Sequence, residues 1–322
     1  MTNPVSVDGR TLDIAGVEAV ARHGAGVTLE SAAREKMAET RRVVKHILDS
    51  GEVVYGINTG FGKLAEVRIS SDQLDQLQLN LLRSHACGVG DPFAEDVVRA
   101  MLLLRANVLA TGHAGCRPLV VERILELLEA GVHPVVPSQG SVGASGDLAP
   151  LAHLALVLVG EGEAIVNGER LDGGEALVGA GFEPLHLEAK EGLALINGTQ
   201  ASAAVGALAI ADARRLLDAV DVICALTLDA MAGTDAAFDP AVHAARPHPG
   251  QGVSAARLLD LLVGSDIRES HRECGRVQDA TLCAAHRRYT VPAVMLSSMP
   301  IGCSRSSSIR PPITRWSLPR AD

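Results

Sequence analysis

Apolar residues recur at the three- and four-residue spacing of amphipathic helices along most of this chain. Capping side chains, prolines and glycines, which begin or end helices, flank these stretches. The pattern predicts helices from Thr28 to Gly51, from Ser71 through Leu81, from Asp91 to Gly112, from Pro118 to Gly131, from Thr199 to about Met231, and from Val253 to Val263. The fifth of these stretches is alanine-rich and almost free of helix breakers, which favours a buried helix within a bundle.

One short stretch has the pattern of strands instead. Residues Ala164–Arg170 contain Asn167-Gly168, a dipeptide typical of a tight hairpin turn. The sequence therefore predicts a small β-hairpin near residues 161–172. The fold class expected from the whole pattern is all-α, a mostly helical bundle with this one small hairpin.

Composition narrows the kind of partner that the protein binds. The chain has 322 residues, a formal net charge of −9 and 2% aromatic residues. These values argue against a nucleic-acid surface built from basic patches and stacking rings, so a small-molecule partner is expected. The sequence has no run of eighteen uninterrupted apolar residues and no N-terminal signal pattern, so we expect a cytoplasmic protein that does not bind a membrane. The six cysteines are scattered without metal-ligand spacing, which fits a reducing compartment and predicts no metal site.

Residues 281–322 differ in composition from the rest of the chain. They hold six basic residues and one acidic residue, together with five prolines and seven serines. We therefore expect a body formed by residues 1–280 and an unrelated, disordered tail formed by residues 281–322. An out-of-frame or otherwise aberrant ending of a longer protein would explain this tail. A natural lineage-specific tail is the alternative.

The segment Gly140–His153, GSVGASGDLAPLAH, carries the most distinctive chemistry. At its centre, the Gly146 amide nitrogen can attack the Ala144 carbonyl carbon. Loss of two waters, one of them including the Ser145 hydroxyl, then gives a 4-methylidene-imidazol-5-one with an exposed methylene carbon. Glycine suits the attacking position because it lacks a Cβ and tolerates a strained backbone. Side chains supply no good carbon electrophile, so this ring would do work usually left to a cofactor, and no metal or diffusible cofactor is expected.

Five phrases of the sequence, in this order, resemble those of the aromatic amino-acid ammonia-lyases. They are Val54–Gly62, Leu82–His85, Gly140–His153, Gly192–Gln200 and Ser265–His271. The resemblance implies that Ala144, Ser145 and Gly146 form the catalytic ring and that the reaction eliminates ammonia from an amino acid. It is greatest to members that convert L-histidine to trans-urocanate and ammonia, the first step of histidine degradation. It also implies a homotetramer in which several chains contribute to each active site.

The resemblance assigns further candidate site residues. Tyr55 takes the role of a base or proton shuttle near the substrate β-carbon, Asn197 binds the substrate carboxylate or the ring carbonyl, and Gln278 lines the pocket. His85 can hydrogen-bond the substrate imidazole, whereas the family's phenylalanine and tyrosine enzymes commonly carry Leu at this position. Each role has an ordinary structural alternative. Tyr55 would be a buried tyrosine with a satisfied hydroxyl, His85 a cation at a helix C-terminus, and Asn197 a turn residue at the start of a helix.

The resemblance ends near residue 281. The family has a Tyr and, three residues later, an Arg, where this chain has Thr281 and Ala284. The later family segments that supply a second Tyr, a carboxylate-binding Arg, a Phe and a Glu are also missing, so the expected ammonia-lyase-like bundle is incomplete. Two alternatives stay open. One is a phenylalanine or tyrosine ammonia-lyase or a related aminomutase, and the other is an inactive truncated product with unpartnered apolar helix faces.

Overall fold

The computed structural model describes residues 4–60, 69–70, 73–142, 146–270 and 272–273 of the chain. Among the candidate site residues, Ala144, Ser145 and Gln278 lie outside the described residues. So do Ser71, the predicted cap of the second helix, and the whole of the expected tail.

The described residues form a mostly helical fold, as the hydrophobic pattern predicts. The helices are α1 (Ile14–His23), α2 (Ser31–Ser50), α3 (Leu74–His85), α4 (Glu95–Ala110), α5 (Pro118–Glu129), α6 (Leu148–Leu158), α7 (Gly173–Gly179), α8 (Glu191–Ile196), α9 (Gln200–Ala230), α10 (Pro240–Ala244), α11 (Pro249–Leu261) and α12 (Asp266–Ser270), with a 3-10 helix at Ala236–Phe238. The strands are β1 (Val5–Val7), β2 (Val27–Leu29), β3 (Val89–Pro92), β4 (Val132–Pro134), β5 (Pro137–Gln139), β6 (Glu163–Val166) and β7 (Glu169–Asp172).

The predicted hairpin is confirmed, and it belongs to a larger sheet. Strands β6 and β7 pair antiparallel around the Asn167-Gly168 turn, and β4 pairs with the other edge of β6. Two further two-stranded sheets, β1 with β2 and β3 with β5, were not predicted. Their strands are three or four residues long, too short for an alternating pattern to stand out.

Two predicted helix starts are wrong, and strand pairing explains both. Thr28 lies in β2, which pairs in parallel with β1, and α2 begins three residues later, at Ser31. Asp91 lies in β3, which pairs with β5, so α4 begins at Glu95 instead. In both places, backbone hydrogen bonds to another strand outweigh the local capping preference.

Helix α4 is the centre of the main hydrophobic core. Ten of its sixteen residues are buried, and it packs against α1, α5 and α9. The first half of α9 closes this core through Ala201, Ala204 and Leu208, and its last turns pack against α11 in a second, smaller core. By length and composition alone, the stretch Glu191–Ala230 could cross a membrane, a test that the core helix of a globular protein also passes.

Candidate active site

Helix α8 is the element to which the candidate site segments are tied. It has six residues, begins after Lys190 in a left-handed conformation (φ 76°) and ends at Asn197. The side-chain oxygen Oε1 of Gln78 in α3 accepts hydrogen bonds from the Gly192 and Leu193 amides at 3.0 and 3.4 Å. α3 is the helix that ends at His85. A side-chain hydrogen bond therefore links the helix that carries His85 to the helix that leads into Asn197.

A buried ion pair fixes the start of α8. The Glu191 side chain has no exposed surface, and its Oε1 accepts the Arg117 amide at 3.0 Å and Arg117 Nε at 2.8 Å. Its Oε2 accepts Arg117 Nη2 at 2.7 Å and the Glu188 amide at 2.9 Å. This pairing raises the pKa of Arg117 above its ordinary value. Four charge-assisted hydrogen bonds therefore hold the first residue of the helix in place.

A buried arginine fixes the end of α8. Arg105 of α4 donates from Nη1 to the Asn197 carbonyl at 3.2 Å and to Gln200 Oε1 at 2.6 Å, and from Nη2 to the Ala194 carbonyl. Burial lowers the pKa of Arg105 to about 10, so its guanidinium stays charged at neutral pH. Its hydrogen-bond partners among the described residues are oxygens of uncharged groups. The helix C-terminus supplies partial negative charge to a cation placed there.

The ends of the candidate ring-forming loop are fastened to each other and to the start of α9. Ser141 Oγ donates to Asp147 Oδ1 at 2.6 Å, across the segment that contains Ala144 and Ser145. Asp147 is buried, and its two oxygens also accept the Ser202 hydroxyl and the Ser202 amide, both at 2.8 Å. The Asp147 amide donates to the Gly198 carbonyl at 2.7 Å. The residue that follows Gly146 is thus held against the Gly198-Thr199 peptide, which contains that carbonyl.

The chain after His85 lies against both sides of this loop. The Gly88 amide donates to Nε2 of His153 at 3.0 Å, and His153 is on α6, the helix that follows the loop. A Cβ on Gly140, just before the loop, would come within 2.9 Å of Gly88 Cα, and the Gly140 φ is +152°. Burial lowers the pKa of His153, which favours the neutral ring that accepts the Gly88 amide. His85 is therefore held three residues from a direct contact with the loop.

Tyr55 stands on a tightly braced turn. Asn58 braces it from within, because its Oδ1 accepts the Val54 amide at 2.9 Å and its Nδ2 donates to the Glu52 carbonyl at 2.7 Å. Residues 56–60 are buried, while Tyr55 is 61% exposed. A Cβ on Gly56 would lie 3.0 Å from Leu193 Cδ2, so the turn rests directly on α8. This exposure contradicts the alternative that Tyr55 is an ordinary buried tyrosine.

His85 has a fixed ring orientation at the C-terminus of α3. Its Nδ1 lies 2.8 Å from the Leu81 carbonyl oxygen and 3.1 Å from Ser84 Oγ, which itself donates to the same carbonyl. A carbonyl oxygen only accepts, so we assign the proton to Nδ1. The neutral ring then carries its lone pair on Nε2. Half-buried His85 can therefore accept a hydrogen bond from a ligand N–H.

Asn197 lies between α8 and α9, just before the predicted long helix. Its side chain is exposed and makes no hydrogen bond to a described residue, while its backbone carbonyl accepts Arg105. Gly146, the residue before Asp147, lies close to Gly198 in space: a Cβ on Gly146 would lie 3.6 Å from the Gly198 carbonyl oxygen.

Sequence reasoning missed α8 itself and the residues that hold it, Arg105, Arg117 and Glu191. It also assigned no role to Asp147. One signal was available, because a charged residue inside the apolar run Met101–Ala110 must find partners when it is buried. Among the described residues, no group of three or more His, Cys, Asp or Glu side chains is placed to hold a metal ion.

Comparison with known proteins gives the family of this chain. Residues 12–285 match the aromatic amino acid lyase family. The chain is 54% identical over 272 residues to a histidine ammonia-lyase of Koribacter versatilis, covering 84% of this chain and 53% of that protein. The crystal structure of histidine ammonia-lyase from Trypanosoma cruzi superposes with a TM-score of 0.80 at 38% identity, covering 91% of this chain and 54% of that one.

A tyrosine aminomutase from Streptomyces globisporus superposes equally well, with a TM-score of 0.81 at 33% identity, covering 92% of this chain and 61% of that one. The backbone fold therefore does not separate the two activities. The chain spans about half the length of the curated relatives it matches. Because the match covers most of the chain, and the helices and loops around α8 accommodate its motifs, this chain belongs to the aromatic amino acid lyase family.

Proposed function

We propose that this chain is part of an ammonia-lyase that eliminates ammonia from L-histidine to give trans-urocanate, in a cytoplasmic homotetramer. The observation that carries the choice of substrate is His85, whose Nδ1 is engaged by the Leu81 carbonyl and whose Nε2 is left as an acceptor. An imidazole N–H is a matching donor, and a phenyl ring has none. The curated relatives at 50–54% identity are named histidine ammonia-lyases, which supports the same choice.

The described surroundings fit a methylidene-imidazolone formed from Ala144, Ser145 and Gly146. Cyclisation needs a compressed loop, and the Ser141–Asp147 hydrogen bond draws the two ends of this loop together. The Asp147–Gly198 bond fixes the residue next to the attacking Gly146 amide. Once formed, the group supplies a carbon electrophile, a chemistry that side chains lack.

The protein's own residues have distinct tasks in this proposal. Elimination removes a weakly acidic hydrogen from the substrate β-carbon, and Tyr55, on its braced and exposed turn, is the candidate base. The exposed amide of Asn197 binds the substrate carboxylate or the ring carbonyl, and His85 orients the imidazole. Gln278 remains a proposed lining residue. The braces described above matter because misplacement of a reacting group by about 1 Å can cost on the order of 100-fold in rate.

The substrate assignment is tested by incubating the chain separately with L-histidine, L-phenylalanine and L-tyrosine, and by following product absorbance. We expect urocanate from L-histidine and no cinnamate or coumarate. His85→Leu should lower kcat/KM for L-histidine by about 2- to 13-fold, since one hydrogen bond contributes about 0.5–1.5 kcal/mol. The control is His186→Leu, because the His186 side chain is 80% exposed. Unchanged preference for L-histidine in His85→Leu would refute the role of this residue.

A mass measurement tests the ring separately from turnover. Closure removes two waters, so the intact chain should be lighter than its sequence mass by roughly 36 Da. Ser145→Ala should show no such deficit. A chain that turns over L-histidine at full sequence mass would refute the proposed chemistry.

A further inference from the structure

Arg105 is a buried cation to which neither the sequence motifs nor the proposed chemistry give a role. It is 2% exposed, and burial lowers the pKa of its guanidinium. The nearby Cys116 does not supply a counter-charge, because burial raises the pKa of this thiol to about 12. A charged group is costly to bury without compensation, so its placement needs a reason.

The partners of Arg105 all lie at one junction, where α8 ends and α9 begins. They are the Ala194 and Asn197 carbonyls and Gln200 Oε1. The last carbonyls of a helix have no partner within the helix, so the guanidinium satisfies two of them and neutralises the negative end of α8. Three acceptors in different directions fix the backbone of this junction more firmly than one would.

The space beside Gly198 is filled by the same side chain. A Cβ on Gly198 would collide with Arg105 Nη1 and with Gln200 Oε1. The glycine of the Asn197-Gly198 pair is therefore explained by the close approach of the guanidinium. The Gly198 carbonyl accepts the Asp147 amide at 2.7 Å.

We propose that Arg105 is a positioning residue that sets the Asn197-Gly198 segment, two consecutive peptide groups, against the ring-forming loop. It acts through that segment on two groups at once, the Asn197 side chain and the backbone that follows Gly146. The effect on ring closure rests on the proposed function, whereas the effect on backbone position does not. Loss of the guanidinium would free the junction and loosen the Asp147–Gly198 hydrogen bond.

The test compares Arg105→Met with a matched variant of the same helix. Arg99 also lies on α4 and donates to backbone carbonyls, those of Val20 and Leu128, away from the loop. Hydrogen–deuterium exchange at the Asp147 amide should be about tenfold faster or more in Arg105→Met, since hydrogen bonds to a charged group contribute at least a factor of ten. Exchange at that amide in Arg99→Met should equal that of the original chain. Equal exchange in both variants would overturn the proposal.

Arg105→Lys keeps the charge but replaces the planar guanidinium fork with donors on one nitrogen, and serves if Arg105→Met does not fold. In Arg105→Lys the exchange rate of the Asp147 amide should lie between the rates in the original chain and in Arg105→Met. A rate equal to that of the original chain would overturn the need for the guanidinium fork. Intact mass gives a second readout: Arg105→Met should accumulate chain without the deficit of roughly 36 Da, while Arg99→Met keeps the deficit. A missing deficit in the original chain would refute the ring, and the exchange rates would still decide the role of Arg105.

Discussion

The Glu191–Arg117 pair offers a direct measure of what holds α8 in place. Glu191→Gln keeps the size of the side chain and removes its charge. Both carboxylate oxygens accept two donors each, so one pair of donors, whichever faces the new NH2 group, loses its acceptor. The result is a guanidinium without its buried carboxylate partner.

The expected loss of stability is about 3 kcal/mol. Breaking a buried ion pair by removing one partner costs about 3–5 kcal/mol. We take the lower end because the Arg117 side chain is 22% exposed and its Nη1 keeps an ion pair with Glu188 at 2.8 Å. With a slope of about 3 kcal/mol per molar urea, the unfolding midpoint should fall by about 1 M.

The assay is urea unfolding followed by circular dichroism. Glu163→Gln is the control, because it removes a carboxylate from an exposed arginine pair, with side chains 57% and 51% exposed. Exposed pairs contribute little, so this midpoint should move by only a small fraction of the shift seen for Glu191→Gln. Equal shifts in the two variants would show that burial of the Glu191 pair does not stabilise the fold as argued.

Three other outcomes are expected. Gly198→Ala should destabilise the chain by about 1–3 kcal/mol, because the added methyl group would collide with Arg105. Its control is Gly206→Ala, in an open position of α9, which should stabilise the chain by about 0.5–1 kcal/mol, and equal shifts of the urea midpoint in the two variants would contradict the overpacking at Gly198. Burial lowers the pKa of His153, so as the pH falls below about 6.5 the histidine is protonated in the unfolded chain before it is protonated in the folded one. The free energy of unfolding should therefore decrease as the pH falls below about 6.5, and His153→Gln should reduce this pH dependence in urea midpoints measured from pH 7.5 to 5.5. Iodoacetamide at pH 8 should label exposed Cys87 well before buried Cys116, whose pKa is about 12, and peptide mapping that finds Cys116 labelled first would disprove the assigned burial.

Elements with a long, repeated signal could be predicted from the sequence. Pro118 and Gly131 bracket α5, and the alanine-rich stretch after Thr199 gives α9 nearly to the residue. The Asn167-Gly168 turn gives its hairpin. Short elements that depend on distant partners could not be predicted, as Thr28 shows, because a local capping signal does not reveal that β1 competes for the same backbone.

The site divides in the same way. The family resemblance identified Tyr55, His85 and Asn197 as candidates, because they lie in the matching phrases. Sequence reasoning did not identify the residues that hold them, because their partners are far along the chain: the acceptors of Arg105 lie 89 to 95 positions away. Six-residue α8 is too short for its apolar positions to show a period.

The contact between Gly56 and Leu193 has a consequence for engineering. The turn that presents Tyr55 rests on a side chain of the helix that ends at Asn197, so the size of Leu193 acts as a spacer between a candidate base and a candidate anchor for the substrate. Trimming or enlarging that one apolar residue offers a way to change the spacing within the proposed site while leaving every candidate reactive group unchanged.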